Sequence, residues 1–359
     1  MRVGLVLGAG GVMGGAWITG GLHALASSTG WDPATADYIV GTSAGSMMGA
    51  LLASGVPPWF MIAHSRGESF DGLVDSEGRP ADTADRSAGA RYTLQRAWPR
   101  MLLGSPELAR RMVSNPRSLP AIGGLVALGP RGFISTEPLK EVVRRVVPKG
   151  WSPHPNYWAV AADYATLERV AFGSPGAPVA DLADAVAASC AVPSFYHPVR
   201  IGDREYIDGG VRSVSNMDLL EDAGLDLVIS FNPMSSRHRP RGVKPAARVG
   251  AMMRAGAGRR LGHEASSLRA RGTKVVLLQP TARDLRIMGN NYMSGRRRNE
   301  VIETAIETVA EQVRQADNWT LLKDLPPGEP YRLARPEGIP ESEWAGLLGL
   351  GPGPQERSA

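Results

Sequence analysis

The sequence has a single cysteine, Cys190, so no disulfide can form within the chain. That fits a reducing compartment as well as a disulfide-free one, and the cytoplasm is the expected location, with peripheral contact to a membrane. Histidine is scarce as well: His23, His64, His154, His197, His238 and His263, none in a context that marks a catalytic base. No window offers the ~18 uninterrupted apolar residues of a spanning helix. Aromatics make up 6% of the chain, and no internal repeat is visible. The first residues, "MRVGLVLGAGGVMGGAWITGGLHALASS", imitate a secretory signal in having Arg2, an apolar stretch and Ala24 to Ala26, but Gly8, Gly10, Gly11, Gly14 and Gly15 cut the apolar stretch.

What is present is a chain of 359 residues, 43% hydrophobic, enough to bury a sizeable core. Lysine and arginine number 40 against 35 aspartates and glutamates, a net charge of +5. Residues 2–7 read as a short buried strand, followed by a glycine loop and a helix over about 16–26; residues 37–41 read as a second strand and 44–54 as a second helix. Strand, loop and helix in repetition predict an α/β fold with a largely parallel sheet. From 57 to 135 short apolar pieces lie among Pro, Gly, Arg and Ser, read as helices and loops covering a cleft. Strand-like sequence returns at 157–164, 169–173, 226–233 and 273–280, and a helix is expected over 296–317. These readings set a main domain over 1–317 and a Pro/Gly-rich tail over 318–359.

The chemistry concentrates at "GTSAG", residues 41–45, which places Ser43 between two glycines where a strand gives way to a helix. A nucleophile held on such a bend projects its oxygen above the sheet edge, and the helix start behind it favours a nearby oxyanion. The loop "LGAGGVMGGAW", residues 7–17, fails as a dinucleotide fingerprint: the third glycine of G-x-G-x-x-G falls on Met13, and the acid that binds ribose is missing after the second strand. Adjacent backbone N–H groups at a helix start suit a tetrahedral oxyanion instead. Further on, "EYIDGGVRSVSN", residues 205–216, sets Asp208 before two glycines, which by itself also reads as a hairpin turn.

Together "GAGGVMGG", "GTSAG" and "DGG", in that order, resemble the patatin-like phospholipases over roughly residues 2–315. The run "AASCAVPSFYHPV" (187–199) and Asn216 resemble that family's surroundings of its aspartate. The resemblance implies a three-layer α/β/α fold with a mostly parallel central sheet. It also implies a lipid acyl hydrolase with a Ser43–Asp208 dyad, an acyl-enzyme intermediate, and an oxyanion hole from the N–H groups of Gly10, Gly11 and Ala44, without metal or organic cofactor. Ala9 and Met13 depart from the family's loop, usually G-G-G-x-K/R-G; Met13 stands where a cation could serve an oxyanion or a lipid phosphate. A Ser43–His197–Asp208 triad is the rival mechanism, and a catalytically silent lipid- or protein-binding module is the alternative function. Trp17, Trp59 and Trp98 could line a lipid cleft, though core packing is the commoner role of such residues.

Residues 237–298 hold sixteen Lys and Arg against two acids, Glu264 and Asp284. For an acyl hydrolase this bias suits an anionic membrane surface. Nucleic acid is not expected as a partner, since only Tyr292 interleaves the basic residues.

Overall fold

The computed structural model describes residues 1–67, 104–114, 123–236 and 245–332. Of the features singled out above, "RHRPRGVK" (237–244), Trp98, much of 57–135 and the tail beyond 332 lie outside the described residues.

An eight-stranded sheet forms the centre. β1 (Val3–Leu7), β2 (Tyr38–Thr42), β3 (Tyr157–Asp163), β7 (Leu227–Phe231) and β8 (Lys274–Leu278) pair in parallel, in the order β3-β2-β1-β7-β8. β4 (Arg169–Phe172) and β6 (Arg204–Asp208) both run antiparallel to β3, and β5 (Val199–Ile201) extends the sheet beyond β6. The parallel strands are short apolar runs because both faces are covered. Alternate side chains go to opposite faces. Leu5, Leu7, Ile39, Ala159, Leu227, Ile229 and Phe231 pack on one side with α1 (Gly11–Thr29) and α10 (Arg298–Arg314). Val6, Val40, Val160, Val228 and Val275 meet Leu261, Ala265 and Leu268 of α8 (Pro245–Ala270) on the other. Each fully buried Leu or Ile contributes about 1.5–3 kcal/mol. The layering is α/β/α, with a mostly parallel sheet.

α2 (Ala44–Ala53) and α3 (Pro58–Arg66) follow β2; α4 (Pro106–Ser114), α5 (Gly123–Leu128) and α6 (Glu137–Arg144) precede β3; α7 (Leu182–Ser189) precedes β5. α9 (Ala282–Met288) lies between β8 and α10, and α11 (Ala316–Leu322) follows α10. Three differences from the sequence reading have physical causes. α1 starts at Gly11 rather than near Ala16, and the glycines it takes in let its first turns pack closely: a Cβ on Gly14 would come within 3.1 Å of Pro233 Cγ and one on Gly15 within 3.8 Å of Ala44 Cβ. α8, read only as a basic segment, is a 26-residue helix whose apolar stripe is thin among its arginines. The helix expected over 296–317 ends at Arg314, and α11 begins at Ala316 after Gln315 turns extended. Leu322 and Leu325 join the main core, and the Gly328 N–H donates to the Gly30 carbonyl.

Among the described residues no single helix is long and apolar enough to cross a membrane.

Candidate active site

Ser43 caps β2 and opens α2 with φ 54° and ψ −124°, a backbone conformation in which an L-residue is strained by roughly 1–3 kcal/mol. Neighbours hold it there. Its N–H donates to Ser189 Oγ at 2.9 Å, Ser189 Oγ donates to the Val160 carbonyl at 2.6 Å, and the Ser43 carbonyl accepts from Ser46 Oγ at 2.7 Å. The glycine two residues on has a steric reason: a Cβ on Gly45 would sit 1.9 Å from the Leu7 carbonyl oxygen. Only glycine lets α2 start this close to the end of β1. Ser43 is 4% exposed.

Asp208 ends β6, paired antiparallel with β3 opposite Ala161, and since Val160 stands opposite Thr42 this register sets it level with Ser43. It is 5% exposed. Its Oδ1 accepts the Gly210 N–H at 2.7 Å, and the Ser43 side chain lies near enough to its carboxylate to favour the ionised form. Burial pushes its carboxyl up from the ordinary value to about 6, and Ser43 and Gly210 pull the other way. Burial likewise raises the thiol of neighbouring Cys190, with the Asp208 charge adding to the effect.

The glycine loop completes the convergence. The Ala9 N–H donates to the Val214 carbonyl at 2.8 Å, and a Cβ on Gly210 would lie 3.6 Å from Ala9 Cβ. A Cβ on Gly15 would lie 3.8 Å from Ala44 Cβ. Gly11 opens α1 and Ala44 opens α2, so neither N–H has an intrahelical acceptor. Neither helix is capped by a side chain at its start, which leaves the positive dipole ends for an anion. Ser43 and Asp208 are thus level with one another across β3, Thr42 standing opposite Val160 and Asp208 opposite Ala161, with Ala44 opening α2 beside Ser43 and the loop of Gly10 and Gly11 following the adjacent β1. Met13 points away from them into the core, 2% exposed.

His197 is placed differently. Its Nδ1 lies 3.2 Å from the Pro198 carbonyl and its N–H donates to Ile134. Among the described residues no hydrogen bond joins it to Ser43 or Asp208. Trp17 is fully buried against Phe231, and Trp59 donates its ring N–H to the Tyr331 carbonyl.

The sequence reading gave no role to several residues that hold the cluster together. Asn216, named above only for its place after the aspartate, is fully buried with φ 53°. It donates from Nδ2 to Thr42 Oγ1 at 3.0 Å, next to the nucleophile, and to the Ser213 carbonyl at 2.6 Å. Arg169 of β4 donates from Nη1 to Asn216 Oδ1 at 3.2 Å and to Asp218 Oδ1 at 2.7 Å. Glu264 of α8, 5% exposed, accepts from Ser213 Oγ at 2.5 Å, from Ser215 Oγ, and from the Met217 N–H at 3.1 Å. The segment after Asp208 is therefore clamped from two directions. Serines 189, 213 and 215 carry no local signal, because each works through a partner distant in sequence.

A recess of about 500 Å³ between Arg269, Lys274, Asp317 and Leu321 lies at the amino end of β8, the opposite strand end from Ser43. Among the described residues no three of His, Cys, Asp and Glu gather as a metal site.

The family model for patatin-like phospholipase matches residues 5–220, a span that takes in the glycine loop, Ser43, Asp208 and Asn216. No curated protein matches the chain.

Proposed function

The chain belongs to the patatin-like phospholipase family, a family of lipid acyl hydrolases, and from that membership together with the site geometry we propose that it hydrolyses carboxylic esters of lipid-like substrates through a Ser43–Asp208 dyad. The observation that carries the reading is Ser43 on its strained turn beside a buried carboxylate whose basicity burial has raised. An aspartate at its ordinary pKa of about 3.9 is a weak base; one near 6 is better matched to taking a hydroxyl proton at neutral pH.

In this mechanism the Ser43 oxygen attacks the ester carbonyl while Asp208 accepts its proton. The tetrahedral oxyanion is held by the N–H groups of Gly10, Gly11 and Ala44, fixed in place before the reaction. Collapse expels the alcohol, which takes the proton from Asp208, and the acyl group stays on Ser43. Water then attacks the acyl-enzyme with Asp208 again as base. Residues 57–135 are the proposed cover of the cleft, within a catalytic domain spanning 1–317. The basic residues of 237–298 are the proposed contact with an anionic membrane surface. In support, both acids of that segment are turned inward, Glu264 to Ser213 and Ser215, and Asp284 to Thr281 and Thr308.

The test is hydrolysis of p-nitrophenyl esters of graded acyl length, and of anionic phospholipid vesicles, together with labelling by a serine-directed fluorophosphonate. Ser43→Ala should abolish labelling and turnover, and Asp208→Asn should lower kcat/KM by roughly 10²–10⁴-fold with the fold intact. Turnover that survives Ser43→Ala means the nucleophile is another residue. A chain that neither hydrolyses nor labels is the silent binding module on the same fold.

A further inference from the structure

Strand order leaves a crevice beside the dyad. From β1 the chain winds to β2 and β3 on one side, while β7 and β8 lie on the other, so the order reverses between β1 and β7. In open parallel sheets such a reversal opens a crevice at the carboxyl strand ends, where ligands bind. The glycine loop follows β1 there, and Asn232 directly follows β7.

Above this crevice stands an arginine. Arg254, Gly258, Leu261, Ala265 and Leu268 share one stripe of α8, and the last three are buried on the sheet. Gly258 lies over Ser235, a Cβ there being 3.9 Å from the serine Cβ. Because α8 returns from the carboxyl end of β7 to the start of β8, Arg254 lies one turn higher, over the strand ends. It is 9% exposed, and its hydrogen-bond partner is Tyr292 Oη, 3.3 Å from Nη1. Among the described residues no carboxylate pairs with it. Burying a guanidinium is costly unless an anion compensates it. The two acids of the basic segment cannot serve, since Glu264 and Asp284 are committed to other groups.

Asn232 adds an independent observation. It is fully buried on the α8 side of β7, its Cγ 3.3 Å from a Cβ built on Gly8. Neither polar atom of its amide has a partner among the described residues. Tyr292 ties this place to the oxyanion loop. Its carbonyl accepts the Met13 N–H at 3.0 Å and would lie 2.8 Å from a Cβ on Gly11, while its ring reaches Arg254. Its hydroxyl accepts from Arg254 and so keeps its own proton to donate.

We propose that Arg254, the Tyr292 hydroxyl and the Asn232 amide form a subsite for a phosphate group on the acyl-ester substrate, beside the oxyanion loop. The proposal rests on the hydrolase reading above. A guanidinium fork, a phenol and an amide approaching from different elements suit a tetrahedral, multiply accepting oxyanion. The cation missing from the loop at Met13 is thus supplied by a residue more than 200 positions further along the chain.

Binding is measured by calorimetry on the full chain carrying Ser43→Ala, which cannot turn over, so the result does not depend on hydrolysis. Glycerol 3-phosphate should bind and glycerol should not. Adding Arg254→Gln should weaken glycerol 3-phosphate at least tenfold, Arg254→Lys less, and Tyr292→Phe several-fold. With Ser43 present, the kcat/KM ratio for a short-chain diacylglycerol phosphate over the matching diacylglycerol should fall by a similar factor in Arg254→Gln. Equal affinity with and without Arg254→Gln overturns the proposal. Inorganic phosphate binding as tightly as glycerol 3-phosphate overturns its assignment to a substrate head group. Ester hydrolysis without preference for the phosphorylated substrate overturns the subsite and leaves the dyad standing. Should Arg254→Gln lose its circular dichroism spectrum, Tyr292→Phe, on a partly exposed loop, decides.

Discussion

Asp208 concentrates the conflict between stability and chemistry in one carboxyl group. Burial holds it at about 6, so it is largely protonated at pH 5 and ionised at pH 7. If the ionised form is the base, kcat/KM for a neutral ester should rise with pH through an apparent pKa of about 6 and level off above it. A profile flat from pH 5 to 8 would remove Asp208 from that role. The same shift bears on folding. Between about pH 4, its unfolded value, and about 6 the folded chain binds more protons than the unfolded one, so this group's contribution to stability falls as pH rises through that window. Asp208→Asn keeps an acceptor for Gly210 and carries no charge. It should raise stability at pH 8 by an amount on the order of 3 kcal/mol, and by little at pH 3.5, read as Tm at the two pH values. Ser43→Gly should likewise raise Tm by relieving a positive φ, at the expense of the nucleophile.

The strand–turn–helix of β2 and α2 was legible from five letters, because both glycines and the serine serve a local bend. Why the second glycine is required was not legible, since the atom it makes room for belongs to β1. Gly45→Ala would drive a methyl group into the Leu7 carbonyl oxygen. The expected result is a severe loss of stability, several kcal/mol by the cost of overpacking and backbone strain, together with loss of fluorophosphonate labelling. The clamp on the other side can be tested without backbone strain. Asn216 has a positive φ, so Asn216→Gly keeps the turn while removing the amide that joins Thr42 to Arg169. About a tenfold fall in kcat with little change in KM is expected of a positioning residue. An unchanged kcat would mean that Thr42 and Ser43 hold their place without it. α8 was the element hardest to read: its arginines mask a buried stripe of Leu261, Ala265 and Leu268 that becomes apparent only against β7 and β8.

Across the whole molecule, charge is distributed by the fold. Arg260, Arg271, Arg283 and Arg297 have carboxylate partners, several from outside the basic segment, whereas Arg259, Arg286 and Arg296 are exposed. The inward turn of Glu264 and Asp284 takes the segment's own acids off its surface, while Asp222, Glu307 and Glu300 from outside it offset Arg271, Arg283 and Arg297. Flotation at low salt should recover more protein with anionic than with neutral liposomes, and the difference should shrink at 0.5 M salt, where screening is strong. Equal recovery with both lipids rules out the charge-driven contact.

The sequence by itself determined the alternation of strand and helix, the mostly parallel sheet, the bend at Ser43 and the family to which the chain belongs. The elements and the bend rest on residues within a few positions of one another, where glycine spacing and apolar runs act directly on the backbone, and the family rests on three such local motifs taken in order. Tertiary structure alone decided that Asp208 would stand level with Ser43, because β3 pairs with both strands, Val160 opposite Thr42 and Ala161 opposite Asp208. It also decided the basicity of that aspartate, the clamp of Asn216, Arg169 and Glu264, and the place of Arg254 over the crevice between β1 and β7. Burial and long-range pairing set these, and both depend on strand order, which brings together groups more than two hundred residues apart.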